Sequence, residues 1–225
     1  MVLPQHDFHT TLRGLTRRYG SLLVIDETHT LSSGLGGYTR VHGLEPDLWV
    51  CGKAIAGGMP CAVFGFSGEV EAGMRRVLAA REGGHSGMGT TLAANALAID
   101  CLHACLAEVM TPENHARMDA LAARLAQGYE NIFTARDLLW HVSRVGSRVE
   151  YGFGAPPRNG TQAQAAMRPQ LEHVVHLWLM NRGFLVTPFH NMMLTTPVTS
   201  EADVDALVEA TAQCLDALDD EVLHE

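Results

Sequence analysis

The chain has 225 residues, 47% of them hydrophobic, which is enough for one large α/β domain or one and a half smaller ones and excludes a disordered chain. Its net charge is −9, with acids and arginines interspersed and no basic block, so there is no electrostatic footprint for a nucleic-acid backbone or an anionic membrane. No apolar run approaches the ~20 residues of a membrane span, and residues 1–20 lack the basic and apolar regions of a signal peptide, so a cytoplasmic protein is expected.

Phe8, Leu12, Leu15 and Tyr19 fall at helical spacing and Gly20 supplies a stop, predicting a helix over Asp7–Tyr19 that feeds a strand over Ser21–Ile25. The unbroken apolar run Leu22–Ile25 predicts a strand covered on both faces in a parallel sheet. A glycine-rich loop (Ser32–Tyr38) precedes short strands over Leu48–Cys51 and Cys61–Phe66, and a helix is expected over Glu69–Ala80. Thr90 and Thr91 then open an alanine- and leucine-rich helix running from Leu92 to Val109. Thr111-Pro112 reads as a fresh helix start, so a domain change is placed near residue 111. Beyond it come a helix over Glu113–Phe133 with Met118, Leu121, Leu125 and Tyr129 on one stripe, strands around Trp140–Val142 and Arg148–Phe153, and a loop over Gly154–Gly160. A helix over Pro169–Asn181, short strands at Phe184–Val186 and Met192–Leu194, and a last amphipathic helix opened by Ser200 complete an α+β half.

The five cysteines are an odd number, scattered among apolar neighbours, and read as reduced buried thiols. Of sixteen basic residues fifteen are arginine, and the one lysine is Lys53. Arginine cannot replace lysine where an amine must lose its proton and act as a nucleophile.

The segment LLVIDETHT (Leu22–Thr30) delivers two acids and a histidine to a strand end, and three chemistries use such an arrangement. The first, a nucleotide triphosphatase's magnesium acid, needs a phosphate loop of the form G-x-x-x-x-G-K-[ST], whereas Lys53 is followed by Ala54. A metal site from Asp26, Glu27 and His29 meets the difficulty that adjacent strand residues point to opposite faces. The third is an organic cofactor served by one amine, one acid and an anion cradle, as pyridoxal phosphate (PLP) requires. Asp26 and Lys53 both lie at or just past the C-terminal ends of apolar strands, where open α/β sheets bind ligands. The helix start at Thr91, with no acid in Leu92–Asn95, leaves N–H donors for an anion. His173 and His176, one helical turn apart, read as surface or core residues and not as metal ligands.

The order LLVIDE, then DLWVCGKAIAGGMP, then TTLAANALA resembles the class III aminotransferases, especially their glutamate-1-semialdehyde aminomutase-like branch. The resemblance implies a fold-type-I PLP-dependent transferase and amino-group transfer between small-molecule donors and acceptors. It implies that Asp26 pairs with the pyridine nitrogen, that Thr28 lies against the ring, and that Lys53 forms the Schiff base and later moves the substrate proton. Thr91, four residues before Asn95, matches the threonine that binds the phosphate of the neighbouring subunit's cofactor, which implies a homodimer. The sequence departs from the family pattern at Thr90, where a glycine is usual, at Ala96 in place of proline, and at Thr28, often valine. The chain resembles only the C-terminal half of such enzymes, with residues 1–110 from the large PLP-binding domain and 111–225 the small C-terminal domain. An inactive fragment or partner subunit is the alternative reading. Glu27 and His29 are assigned structural roles, and Arg40 and Arg148 are weighed as carboxylate-binding residues but read as ordinary surface arginines.

Overall fold

The computed structural model describes residues 1–81, 83, 89 and 91–224. The chain divides into two compact units, Pro4–Pro112 and a second formed by Met1–Leu3 with Glu113–Glu225.

In the first unit, helix α1 (Phe8–Arg18) ends before Gly20, whose φ of +64° takes the left-handed turn that glycine adopts without penalty. The chain then enters β1 (Val24–Asp26), passes a short helix α2 (Gly37–Val41), and forms β2 (Leu48–Cys51) and β3 (Val63–Phe66). Strands β1 and β2 run parallel with Asp26 opposite Val50, whereas β3 pairs antiparallel to β2 with Cys51 opposite Val63. The parallel expectation therefore holds for one pair only. The connection 52–62 is short of the crossover of about a dozen or more residues that a parallel return requires, and Gly57 and Gly58, both at positive φ, turn it back. Nor is β1 covered on both faces: Val24 is 54% exposed, as is Leu22 just before it at 62%, and β1 is an edge strand with only β2 beside it among the described residues. The unit's core is a small cluster of Leu31, Cys51, Ile55 and Ala56. Helices α3 (Gly68–Ala79) and α4 (Ala96–Ala104) follow, the latter relaxing into a wider π turn over Cys105–Val109.

One ion pair ties α1 to both strand entries. Arg13 meets Asp47 in a two-pronged contact, Nη1 to Oδ2 at 2.6 Å and Nη2 to Oδ1 at 2.8 Å, and the Leu23 amide donates to the same Oδ2 at 2.7 Å. The Arg13 guanidinium, and after it the Leu23 amide, holds the Asp47 carboxyl down to about 2.

The second unit packs α5 (Pro112–Thr134) and α8 (Glu201–Asp216) on an antiparallel sheet of β4 (His141–Val145), β5 (Arg148–Gly152) and β6 (Met192–Leu194). The expected α5 stripe, Met118, Leu121, Leu125 and Tyr129, is buried, and Tyr129 donates its hydroxyl to Met193 Sδ at 3.0 Å. Ser200 opens α8 in a reciprocal cap with Asp203, and α7 (Pro169–Met180) begins at its proline. One expectation fails here. Phe184–Val186 is not a strand, because the Phe184 amide closes the end of α7 on the Leu179 carbonyl at 3.0 Å and is taken from any ladder. A short helix α6 (Gly160–Ala165) follows the expected loop, started by the Asn159 side chain accepting from the Gln162 amide at 2.9 Å. The chain closes with α9 (Asp220–His224).

Because the Asp47 acid is depressed in the folded state, its contribution to stability is complete above the ordinary aspartate range near pH 4 and is lost as pH falls through about 2. Urea unfolding of Asp47→Asn is therefore expected to show a loss of about 2 kcal/mol at pH 7, with the gap between the two proteins narrowing between about pH 4 and pH 2.

Candidate active site

The parallel pairing of β1 and β2 brings two strand ends to one edge of the sheet, Asp26 closing β1 and Gly52-Lys53 following β2. Successive residues of a strand face opposite ways. Asp26 is exposed while Glu27 is completely buried, so the two acids cannot share an ion.

Glu27 is an anchor. Its Oε2 accepts the Tyr38 amide at 2.7 Å and the Thr30 hydroxyl at 3.3 Å, and its Oε1 accepts the Thr39 amide at 2.6 Å. These amides open α2, where a negative carboxylate suits the helix start, and the Tyr38 amide also donates to the Thr30 carbonyl at 3.2 Å. The glycine-rich loop makes this approach sterically feasible: a Cβ on Gly37 would lie 2.2 Å from Glu27 Oε2, and its φ of +76° also favours glycine. The Glu27 amide donates to Val50 O at 2.8 Å, and its own carbonyl accepts from Thr30 and Leu31 at 3.1 and 2.9 Å. The turn after β1 is thereby fixed at its base. The Cys51 thiol lies under it and is pushed up to about 11 by burial and then by the Glu27 charge, which leaves it a packing group and not a nucleophile.

On the exposed side the Thr28 amide donates to Asp26 Oδ1 at 2.9 Å. The Thr28 hydroxyl and amide hold the Asp26 carboxyl below the usual range, helped electrostatically by the neighbouring His29 and Lys53. Asp26 is therefore an anion at neutral pH. Lys53 Nζ contacts His29 Nε2, and the Lys53 backbone sits at a φ of +53°, a left-handed conformation that costs a non-glycine residue about 1 kcal/mol. Behind it Ile55 and Ala56 are buried in the unit's core, so the lysine leaves a fixed backbone and reaches outward.

Asp26, Thr28 and Lys53 thus come together, and they bring His29 with them. The sequence reading gave His29 a structural role. The signal was its place three residues after the acid, but only the turn geometry carries the ring to the amine. Thr91 is not at a helix start. It lies in an exposed turn, and α4 begins at Ala96, where the Asn95 side chain accepts from the Ala98 amide at 3.0 Å. Asparagine competes well for the N-cap, and Ala94 at a φ of +54° breaks any earlier helix. The expected anion-binding helix terminus at Thr91 is therefore corrected, and its companion Thr90 lies outside the described residues. Arg148 donates to Glu150 Oε1 at 2.9 Å, and Glu150 is itself 3% exposed, so Arg148 is held by a buried acid. Arg40 stays exposed.

The family model described as aminotransferase class-III matches residues 1–215. The chain belongs to the class III aminotransferases. Among relatives of this family, a glutamate-1-semialdehyde 2,1-aminomutase 2 of Brevibacillus brevis is 29% identical over 218 residues, covering 96% of this chain and 49% of that protein. A solved glutamate-1-semialdehyde aminomutase of Pseudomonas aeruginosa in complex with PMP superposes with a TM-score of 0.92 at 46% identity, over 96% of this chain and 49% of that one. A β-phenylalanine aminotransferase of Variovorax paradoxus gives 0.80 at 27% identity, again over 96% and 49%. This class III chain thus spans about half the length of the relatives it matches, and the similarity places its mixed α/β fold among fold-type-I transferases, as its sequence motifs imply.

Replacing Glu27 with Gln keeps the shape but turns an amide donor toward an N–H donor. Glu27→Gln is expected to lower stability by about 3 kcal/mol in urea unfolding, more than the same change at an exposed acid such as Glu45.

Proposed function

We propose that this chain takes part in PLP-dependent amino-group transfer between small-molecule amino donors and acceptors, as an aminotransferase or an aminomutase. The observation that carries the reading is the meeting, at one sheet edge, of an ionised acid and the chain's one lysine. The residues fit the group: Asp26 offers a carboxylate on the exposed side of the turn, and Lys53 offers a primary amine on a strained, anchored backbone. PLP, when bound, supplies an aldehyde for an amine and a ring that draws electrons from the substrate carbon.

Asp26 would accept the N–H of the pyridine nitrogen and keep that proton in place, and Thr28, tied to Asp26, fixes the carboxylate's direction. Lys53 Nζ is the primary amine that would hold the cofactor's aldehyde, and the group that would carry a proton on and off the substrate carbon. Thr91, on its exposed turn, would reach the cofactor phosphate of a neighbouring copy in a homodimer. A cytoplasmic location goes with this reading, and no helix among the described residues is long and apolar enough to cross a membrane. A second reading is favoured by the open apolar residues of the β1–β3 sheet, where Val24 is 54% and Phe64 50% exposed: the chain is one part of a larger assembly and does not turn over alone.

Mixing the 225-residue chain with PLP, reducing with borohydride and mapping the peptides tests the proposal. A phosphopyridoxyl label on Lys53, absent in Lys53→Ala and needing about tenfold more PLP in Asp26→Asn, is expected. Label confined to the N-terminal amine, or none, contradicts it. Turnover of an amino donor by the chain alone would remove the second reading.

A further inference from the structure

We propose that His29 is the positioning residue for Lys53: its Nε2 accepts the lysine's N–H and directs the amine. The inference deepens the PLP reading and rests on it for its meaning in catalysis, but the coupling itself is a property of the chain without cofactor.

Both partners leave anchored backbones. His29 sits in the turn fixed at its base by Glu27, whose amide and carbonyl are both bonded and whose carboxylate holds Tyr38 and Thr39, and on its outer side by the Thr28 amide on Asp26. Lys53 begins a short helical turn, Lys53–Ala56, whose Ile55 and Ala56 are buried. A lysine stem has several rotatable bonds, and an exposed one ordinarily samples many directions. The contact to His29 Nε2 selects one of them.

The chemistry of the contact is asymmetric. An ammonium has only donors, so the imidazole must present a bare Nε2 and carry its hydrogen on Nδ1. Protonating both groups would set two cations against each other. Among the described residues Asp26 faces both of them, and its negative charge offsets part of that repulsion; Glu27 is buried on the opposite side and Cys51 lies beneath. An amine that must shuttle a proton at a carbon gains a fixed direction and a neighbour that accepts its N–H whenever it is protonated.

The test is a proton NMR titration of the histidines in the cofactor-free full chain, with the His29 signal assigned by its loss in His29→Gln. The expected result is a His29 midpoint about one pH unit lower in the wild type than in Lys53→Met, and a similar rise when the wild-type lysine is acetylated chemically. Acetylation needs no altered sequence, so it decides the matter if Lys53→Met folds poorly. Equal midpoints with and without the lysine charge would overturn the proposal. Because no PLP is present, a shifted midpoint alongside absent borohydride labelling would uphold the coupling and sink the cofactor reading; labelling with equal midpoints would do the reverse.

Discussion

The site depends on one buried carboxylate. Glu27 is enclosed without exposure and draws onto itself the Tyr38 and Thr39 amides, at the far end of the glycine-rich segment, and the Thr30 hydroxyl before it, while its own backbone joins β2 and closes the following turn. A buried, unpaired carboxylate would cost several kcal/mol, so the loop has to come to it. Gly37 makes that approach sterically feasible, and Asp26, one residue earlier on the strand, is directed outward as a consequence.

On the outward side the same turn gathers charges that regulate each other. Asp26 is kept ionised by Thr28 and, less strongly, by the neighbouring His29 and Lys53, and Lys53 in turn is met by His29. The lysine reaches this place because β2 is parallel to β1, with Asp26 and Val50 in register, and because its backbone accepts a left-handed conformation directly after Gly52. A parallel strand pair and a buried acid thus assemble a small cluster of complementary charges from residues that are far apart in the chain.

The parts legible in the sequence were those where chemistry or periodicity leaves little choice. A unique lysine after a strand, an acid at the end of another, and the Leu121, Leu125 and Tyr129 stripe of α5 all stand where the residue types required. What escaped was decided by competition among neighbours. Asn95 won the cap of α4 from Thr91, the Phe184 amide went to the end of α7 and not to a ladder, and a short glycine-rich connection reversed β3. The apolar run of β1 spoke for two covered faces, yet apolarity records a preference and not a neighbour; Val24 and Leu22 stay open among the described residues. The His29–Lys53 contact was hidden for a different reason, since it exists only once the Glu27 turn has been formed.

Amide hydrogen exchange at Tyr38 and Thr39 tests most directly whether Glu27 holds the site together. If it does, both amides exchange at least about a hundredfold more slowly than unstructured amides, in step with the opening of the whole unit and more slowly than exposed Gly36 beside them. Exchange of Tyr38 and Thr39 at the rate of an open loop would show that the carboxylate does not pin the segment, and the account of how Asp26 and Lys53 are placed would fail with it.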